Sequence, residues 1–321
     1  MKTQFQFRRD LLASPKRLFL LSLLIILALM PLPLAGSSYY IWVLTLCNYW
    51  AILAVSWDLI LGYGGQLSFA HTGMLALGAY SSVFLVNSTG LPPVAGMIVG
   101  GGLAAAMGLA LGWICLRLKG FYFALATWGF AGMVELLLVS EYDITGGLKG
   151  LQTVFLLSTS SQATPVYYYY AALALLAMCA VTTFKLINSN YGLYLIAMGD
   201  NEEAVGACGI NVVWLKVSVF GISSFWLGLA GSFYAHLLGY ISPSIANFTT
   251  VMTFVIAATI IGGLGTFFGP LLGAFILWPT AEVIRTYGAG IQQLIFVVLI
   301  LVALKFLRNG IMGLVPSLRR R

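Results

Sequence analysis

Long apolar runs separated by short polar joins organise this chain. Hydrophobic segments fall at roughly 18–35, 39–61, 66–86, 92–116, 121–140, 166–187, 215–239, 249–263, 269–285 and 289–307. Several reach or exceed the roughly 20 residues that a helix needs to cross a bilayer. The short alternating segments of a transmembrane β-barrel are absent from the pattern. Proline and glycine punctuate the joins, as in Gly90-Leu91-Pro92-Pro93. The pattern predicts an all-α, polytopic transmembrane helical bundle of about 8–10 spans. The range is set by residues 249–285, where two short apolar pieces flank a glycine-rich join. Two tilted spans or one broken, re-entrant pair would both fit, because non-helical backbone at membrane depth must be buried in protein or line a cavity.

Composition agrees. The 321 residues are 60% hydrophobic and only 8% charged, with a mean hydropathy of +0.98. Soluble domains carry about 25% charged residues. The net charge of +7 is no nucleic-acid signal, since half of the 16 basic residues cluster at the ends: Lys2, Arg8, Arg9, Lys16 and Arg17, then Arg319, Arg320 and Arg321. Positive residues favour the cytoplasmic face, so both termini are expected there. This divides the chain into a basic N-terminus (1–17), a transmembrane region (18–307) and a basic C-terminus (308–321). Ten crossings then place Arg117, Lys119 and the segment 188–214 inside, and Glu141–Pro165 outside. Met30-Pro31-Leu32-Pro33 lacks the small-x-small pattern of a cleavage site, so the first apolar run reads as a span.

Little in the sequence points to catalysis. The two histidines, His71 and His236, lie far apart, and no HExxH, GxSxG or phosphate-loop pattern is present. The four cysteines lack metal-ligand spacing and read as small core residues. No metal or cofactor is expected, and no nucleotide site of the chain's own.

Three polar segments carry the candidate chemistry. Glycines at 62, 64 and 65 break a helix, after which Gln66, Ser68 and His71 open the next span. Free backbone amides at such a break suit a carboxylate or polar solute, so these three are candidates for a translocation pathway. A tight turn bonded to neighbouring helices is the alternative. Thr145-Gly146-Gly147 reads as an exposed turn, or as a gating or partner-facing loop. Asp58 and Glu135 raise a proton or ion path, the usual suspicion for carboxylates near apolar spans. That is the basis of a competing assignment, an ion-coupled secondary transporter of small polar solutes. Glu282 and Arg285 are spaced to pair on one helix face.

The segment 188–214 stands out most. It holds Asp200, Glu202 and Glu203, three of the chain's nine acidic residues. Asp200 or Asn201 can cap a short helix of small residues that Gly209 would end. A helix-turn-helix on the membrane surface can insert into a partner's groove; an ordinary interfacial helix has the same spacing.

Glu203-Ala204-Val205 followed by Gly209 is similar to the EAA-type coupling loop of ABC importer permeases, with Val205 at the second alanine. Across about residues 40–315 the chain resembles branched-chain amino-acid permease subunits of the LivM type. The resemblance is carried in order by Gly62–His71, Arg117–Ala124, Thr145-Gly146-Gly147, Gly228–Ala235, Ile241-Ser242-Pro243, Ile261–Thr266, Gly269–Ala274 and Asn309–Leu314. It implies a bacterial inner-membrane subunit that pairs with a second, related permease as a heterodimer. It also implies two cytoplasmic ATP-binding subunits and an extracytoplasmic solute-binding protein. Glu202, Glu203, Ala204, Val205 and Gly209 would then transmit ATPase motion. The solute would be a branched-chain or related amino acid or a similar small molecule. Leu195–Asp200 departs from the Arg-containing stretch that often precedes the loop in this family.

Overall fold

A computed structural model describes residues 37–115, 118, 120–157 and 164–285, together with 27, 29–31, 288, 294, 295, 297, 298, 300–302, 305 and 310–314. The basic terminal clusters, Arg117 and Lys119, and most of the segments 18–35 and 289–307, lie outside the described residues.

The fold is helical throughout. Helix α1 (Ser38–Asp58) continues into a π-helical turn, Leu59–Tyr63, and is followed by α2 (His71–Thr89), α3 (Pro93–Ile114) and α4 (Phe121–Ser140). After a short turn of helix, α5 (Tyr142–Thr145), come α6 (Thr164–Ile187), α7 (Asn190–Asp200), α8 (Glu202–Ala207) and α9 (Val212–Leu238). Helices α10 (Phe248–Gly262) and α11 (Gly269–Arg285) complete the described bundle. Among the described residues the only strands are β1 (Leu151–Gln152) and β2 (Tyr240–Ile241), paired antiparallel with Leu151 opposite Ile241.

Local sequence explains the boundaries. Gly90, at φ +69°, supplies the left-handed residue that ends α2, and Pro93 starts α3 where a missing N–H costs nothing. Among the described residues, five helices are long and apolar enough to cross a membrane: Ser38–Tyr63, Pro93–Ile114, Phe121–Ser140, Pro165–Ile187 and Val212–Leu238. Helix α2 is long enough but its histidine, serines and asparagine lower its hydropathy. Helices α10 and α11 are shorter, at 15 and 17 residues. They are two separate helices joined by a tight turn at 263–268, an arrangement shared by two tilted spans and by a re-entrant pair.

Packing relies on small residues and buried hydroxyls. Helix α9 lies along α3 and α2. A Cβ added at Gly78 would meet the Gly228 Cα at 2.2 Å, and one at Gly108 would meet the Ser224 Oγ at 2.2 Å. Gly96, Gly100, Gly108 and Gly112, spaced along α3 at multiples of four residues, thus serve contact within the chain. Ser232 donates to the Gly78 carbonyl (2.9 Å), Ser223 to the Ser56 carbonyl (2.7 Å), and the Ser82 hydroxyl meets His236 Nε2 at 3.0 Å. Lipid offers no hydrophobic drive between helices, so close packing and such bonds, at about 0.6–2 kcal/mol each, hold a bundle of this kind together. Helix α1 is the most enclosed, with α6, α9, α10 and α11 around it.

Candidate functional site

The polar segment 188–214 folds as a helical hairpin at one end of the bundle. Asn201 has extended backbone, and its side chain accepts a hydrogen bond from the Ala204 amide at 3.1 Å. It is therefore the cap of α8, while Asp200 ends α7. Gly209, at φ +79°, turns the chain, and Asn211 caps α9 by accepting from the Trp214 amide at 3.0 Å. In α8 only Val205 is buried; Glu203, Ala204, Gly206, Ala207 and Cys208 beside it are exposed. Leu193, Tyr194, Val213 and Trp214 are exposed around it.

The hairpin is tied to the bundle at three points. Lys216 Nζ donates to Glu202 Oε1 at 2.7 Å, with the lysine side chain only 11% exposed. The Tyr191 hydroxyl meets Ser218 Oγ at 2.7 Å, and its ring packs edge-on to Trp214. Burial pushes the Tyr191 phenol up from its ordinary value, and the Ser218 hydrogen bond pulls the other way. The third tie is backbone against backbone. A Cβ on Gly65 would meet the Gly199 Cα at 2.7 Å, so α7 sits directly on the helix break after α1.

That break brings the other candidates into view. The Gln66 amide donates to the Ile60 carbonyl (3.1 Å), and Gly65 at φ +66° closes the turn. Gln66 lines a cleft of about 470 Å³ with Gly64, Gly65, Asp200, Glu202 and Lys216. Ser68 and His71 do not join it. Ser68 is buried, its carbonyl accepts the Trp57 indole N–H at 2.8 Å, and its hydroxyl accepts the Ala70 amide at 3.3 Å. His71 is buried, with Nε2 3.4 Å from the Ser223 hydroxyl. The structure thus places Gln66 with the hairpin and the other two between helices. Asp58 is buried and accepts the Gly265 amide at 2.7 Å, which links the end of α1 to the α10–α11 turn. Glu282 and Arg285 pair at 3.5 Å.

Thr145 lies at the opposite end of the bundle. Its hydroxyl donates toward the Leu138 and Glu141 carbonyls at 2.6 and 2.7 Å, and accepts the Gly147 amide at 3.2 Å. Gly146 and Gly147 both have positive φ. The chain around it is anchored on α9 and β2: His236 Nδ1 lies 2.8 Å from the Val154 carbonyl, and the Tyr240 hydroxyl donates to the Lys149 carbonyl at 2.5 Å.

The profile described as "Branched-chain amino acid transport system / permease component" matches residues 39–304. The chain belongs to this family. It is therefore a permease component of an ABC transporter and a multi-pass membrane protein. The permease is 28% identical over 298 residues to the high-affinity branched-chain amino acid transport permease LivM of Escherichia coli K12, covering 85% of this chain and 69% of that one. It is 27% identical to the fructose import permease FrcC of Rhizobium meliloti over 68% of this chain and 63% of that protein. A shorter stretch, 29% of this chain and 25% of the relative, is 36% identical to the xylose transport permease XylH of Escherichia coli K12. No solved structure matches.

Residue types alone did not reveal Lys216 as the partner of Glu202, or Gly199 as the seat of Gly65. The available signals were Asn201 and Asn211, each three residues before an amide that its side chain caps.

Proposed function

We propose that this permease forms half of the translocation pathway of an importer for branched-chain or related amino acids. It works in a bacterial inner membrane, beside a second, related permease subunit. Two cytoplasmic ATP-binding subunits supply ATP hydrolysis, and an extracytoplasmic binding protein delivers the solute. The reading places both termini in the cytoplasm, with residues 18–307 as the transmembrane part.

The observation that carries the reading is the construction of α8. A short helix with an exposed face of small residues is unusual at the end of a greasy bundle unless something seats on it. Glu202, Glu203, Ala204, Val205 and Gly209 form the plug for an ATPase groove. Val205 and the Glu202–Lys216 pair hold the plug to the bundle, and Gly199 presses on Gly65. Closure of the ATPases would then move the break after α1, and with it the cleft that Gln66 lines. Thr145 and Gly147 are buried and Gly146 is half-buried, so the expected exposed turn instead supports from beneath the exposed Leu148 and Lys149, where a binding protein would dock.

The competing assignment, an ion-coupled transporter using Asp58 or Glu135, has less support. Asp58 is already engaged as acceptor for the Gly265 amide in a buried turn. The deciding experiment is ATP-driven uptake of L-leucine into proteoliposomes holding the assembled complex. Glu203→Lys should abolish uptake and ATPase association while the protein still inserts in the membrane. Uptake that survives loss of the ATP-binding subunits but collapses with an ion gradient would reverse the assignment.

A further inference from the structure

A second cleft, of about 510 Å³, opens at the end of the bundle away from α8 and reaches inward to the middle of α1. One wall is aromatic: Tyr49 and Tyr234 stack with ring centroids 4.8 Å apart, and Trp50 lies beside them, backed by Trp278 at 5.3 Å. Ile245 and Val251 add an aliphatic wall. The opposite rim carries hydroxyls. Ser242 Oγ and Ser244 Oγ are 2.6 Å apart, at the start of the 3₁₀ turn Pro243–Ala246, and Thr250 is exposed beside them. None of the lining residues is Asp, Glu, Lys, Arg or His.

This chemistry selects among small solutes. A sugar presents hydroxyls all round, and its specific recognition calls for many donors and acceptors on every side. Here the serines, Asn247 and Thr250 supply one rim, the tyrosines add phenol hydroxyls elsewhere, and the remaining aliphatic surface is one a sugar would leave unused. A neutral amino acid with an apolar side chain fits both halves. Its carboxylate meets the paired serine hydroxyls, its ammonium meets the negative faces of the tyrosine rings, and its side chain meets Ile245 and Val251. A net-neutral solute also brings no unbalanced charge to a cleft lined by no charged side chain.

We propose that this cleft is a solute-binding station of the permease, selective for amino acids with apolar side chains. The inference rests on the permease reading above and adds a location for the amino-acid class which that reading already names.

Two measurements in cells expressing the complete transporter test it. In the first, Ser244→Trp fills the cleft with an indole. L-Leucine uptake should fall by about tenfold or more in complexes that still co-purify with the ATP-binding subunits. In the second, Thr250→Cys is made with Cys208→Ser, since Cys208 is the exposed cysteine among Cys47, Cys115, Cys179 and Cys208. A membrane-impermeant methanethiosulfonate should label Cys at position 250 from outside. L-Leucine should slow that labelling severalfold, and D-xylose should not. Wild-type uptake in a Ser244→Trp complex, or labelling indifferent to L-leucine, overturns the station. Equal protection by D-xylose overturns its selectivity. If the wild-type transporter takes up no L-leucine with ATP present, it is the permease reading that fails.

Discussion

The contact between Gly65 and Gly199 offers the sharpest test of how motion would pass from the hairpin into the bundle. Gly65→Ala perturbs it in two ways. Its φ of +66° is a left-handed conformation, which costs an ordinary residue about 1–2 kcal/mol. The added methyl would also lie 2.7 Å from the Gly199 Cα, where ordinary contact begins at 3.4 Å, so α7 must retreat by about 0.7 Å. Overpacking of this kind costs about 1–3 kcal/mol. Gly90→Ala separates the two costs, because Gly90 has nearly the same φ, +69°, and nothing within 4 Å of its added Cβ. The excess of the first variant over the second is therefore the clash alone. If that contact carries coupling, 1–3 kcal/mol corresponds to about 5–150-fold in the coupled population. Initial rates of ATP-driven uptake, normalised to assembled complex, should thus drop at least about fivefold further in Gly65→Ala than in Gly90→Ala. Equal rates in the two variants would refute the idea that α7 acts through Gly65.

Other outcomes follow from the same contacts. Glu202→Gln leaves the Lys216 ammonium, 11% exposed, without its carboxylate; with Glu202 itself 33% exposed the loss is about 1–2 kcal/mol, seen as a lower melting temperature of the purified permease. Asp58→Ala strips the Gly265 amide of its acceptor in a buried turn and should cost about 1–3 kcal/mol, with protease cleavage appearing at 263–268. His236→Ala removes the ring that meets Ser82 and Val154 together, so amide exchange should speed up across 153–157 while α7 and α8 keep their protection. Uniform loss of protection would show that His236 supports the whole bundle rather than this strap.

The helices were legible because lipid imposes one demand on every segment: backbone groups must be satisfied locally. Apolar runs bounded by Gly and Pro therefore marked α1, α3, α4, α6 and α9 closely. Hydropathy served α2 less well, since His71, Thr72 and Ser82 turn inward to other helices and Asn87–Thr89 lie exposed at its end. In the hairpin, the Asn201 cap and the Gly209 turn were readable as short-range grammar. The ties that position it were not. Glu202 and Lys216 are separated by the turn and the start of α9, and Gly65 meets Gly199 from a different part of the chain. A glycine that is needed for close approach looks, in sequence, the same as one needed for a turn. The outer cleft was hidden for a related reason. Tyr49, Tyr234 and Ser244 come from three separate elements, and each alone resembles an ordinary residue of a membrane helix or its end.

Helix α1 supplies the physical link between the two ends. It carries Thr45, Asn48, Ser56 and Asp58, all buried, although lipid-facing positions would make such residues costly. They are tolerated because α6, α9, α10 and α11 enclose the helix. Enclosure also makes α1 stiff in translation, since packed interfaces move between discrete arrangements rather than deform continuously. Trp50, on the wall of the outer cleft, lies eight residues before Asp58, or about 12 Å along the axis. The π-helical turn that follows, Leu59–Tyr63, is the irregular piece, and it leads into the glycines on which α7 rests. Under the proposed reading, a push on α8 is met first by this irregular turn and then by a rigid rod. The rod moves the cleft wall at Tyr49 and Trp50 against the serine rim, with no side chain spanning the distance. A flexible α1 would absorb the push instead, so under this reading the enclosure of α1 and the Asp58 bond to the Gly265 amide serve transport without meeting solute.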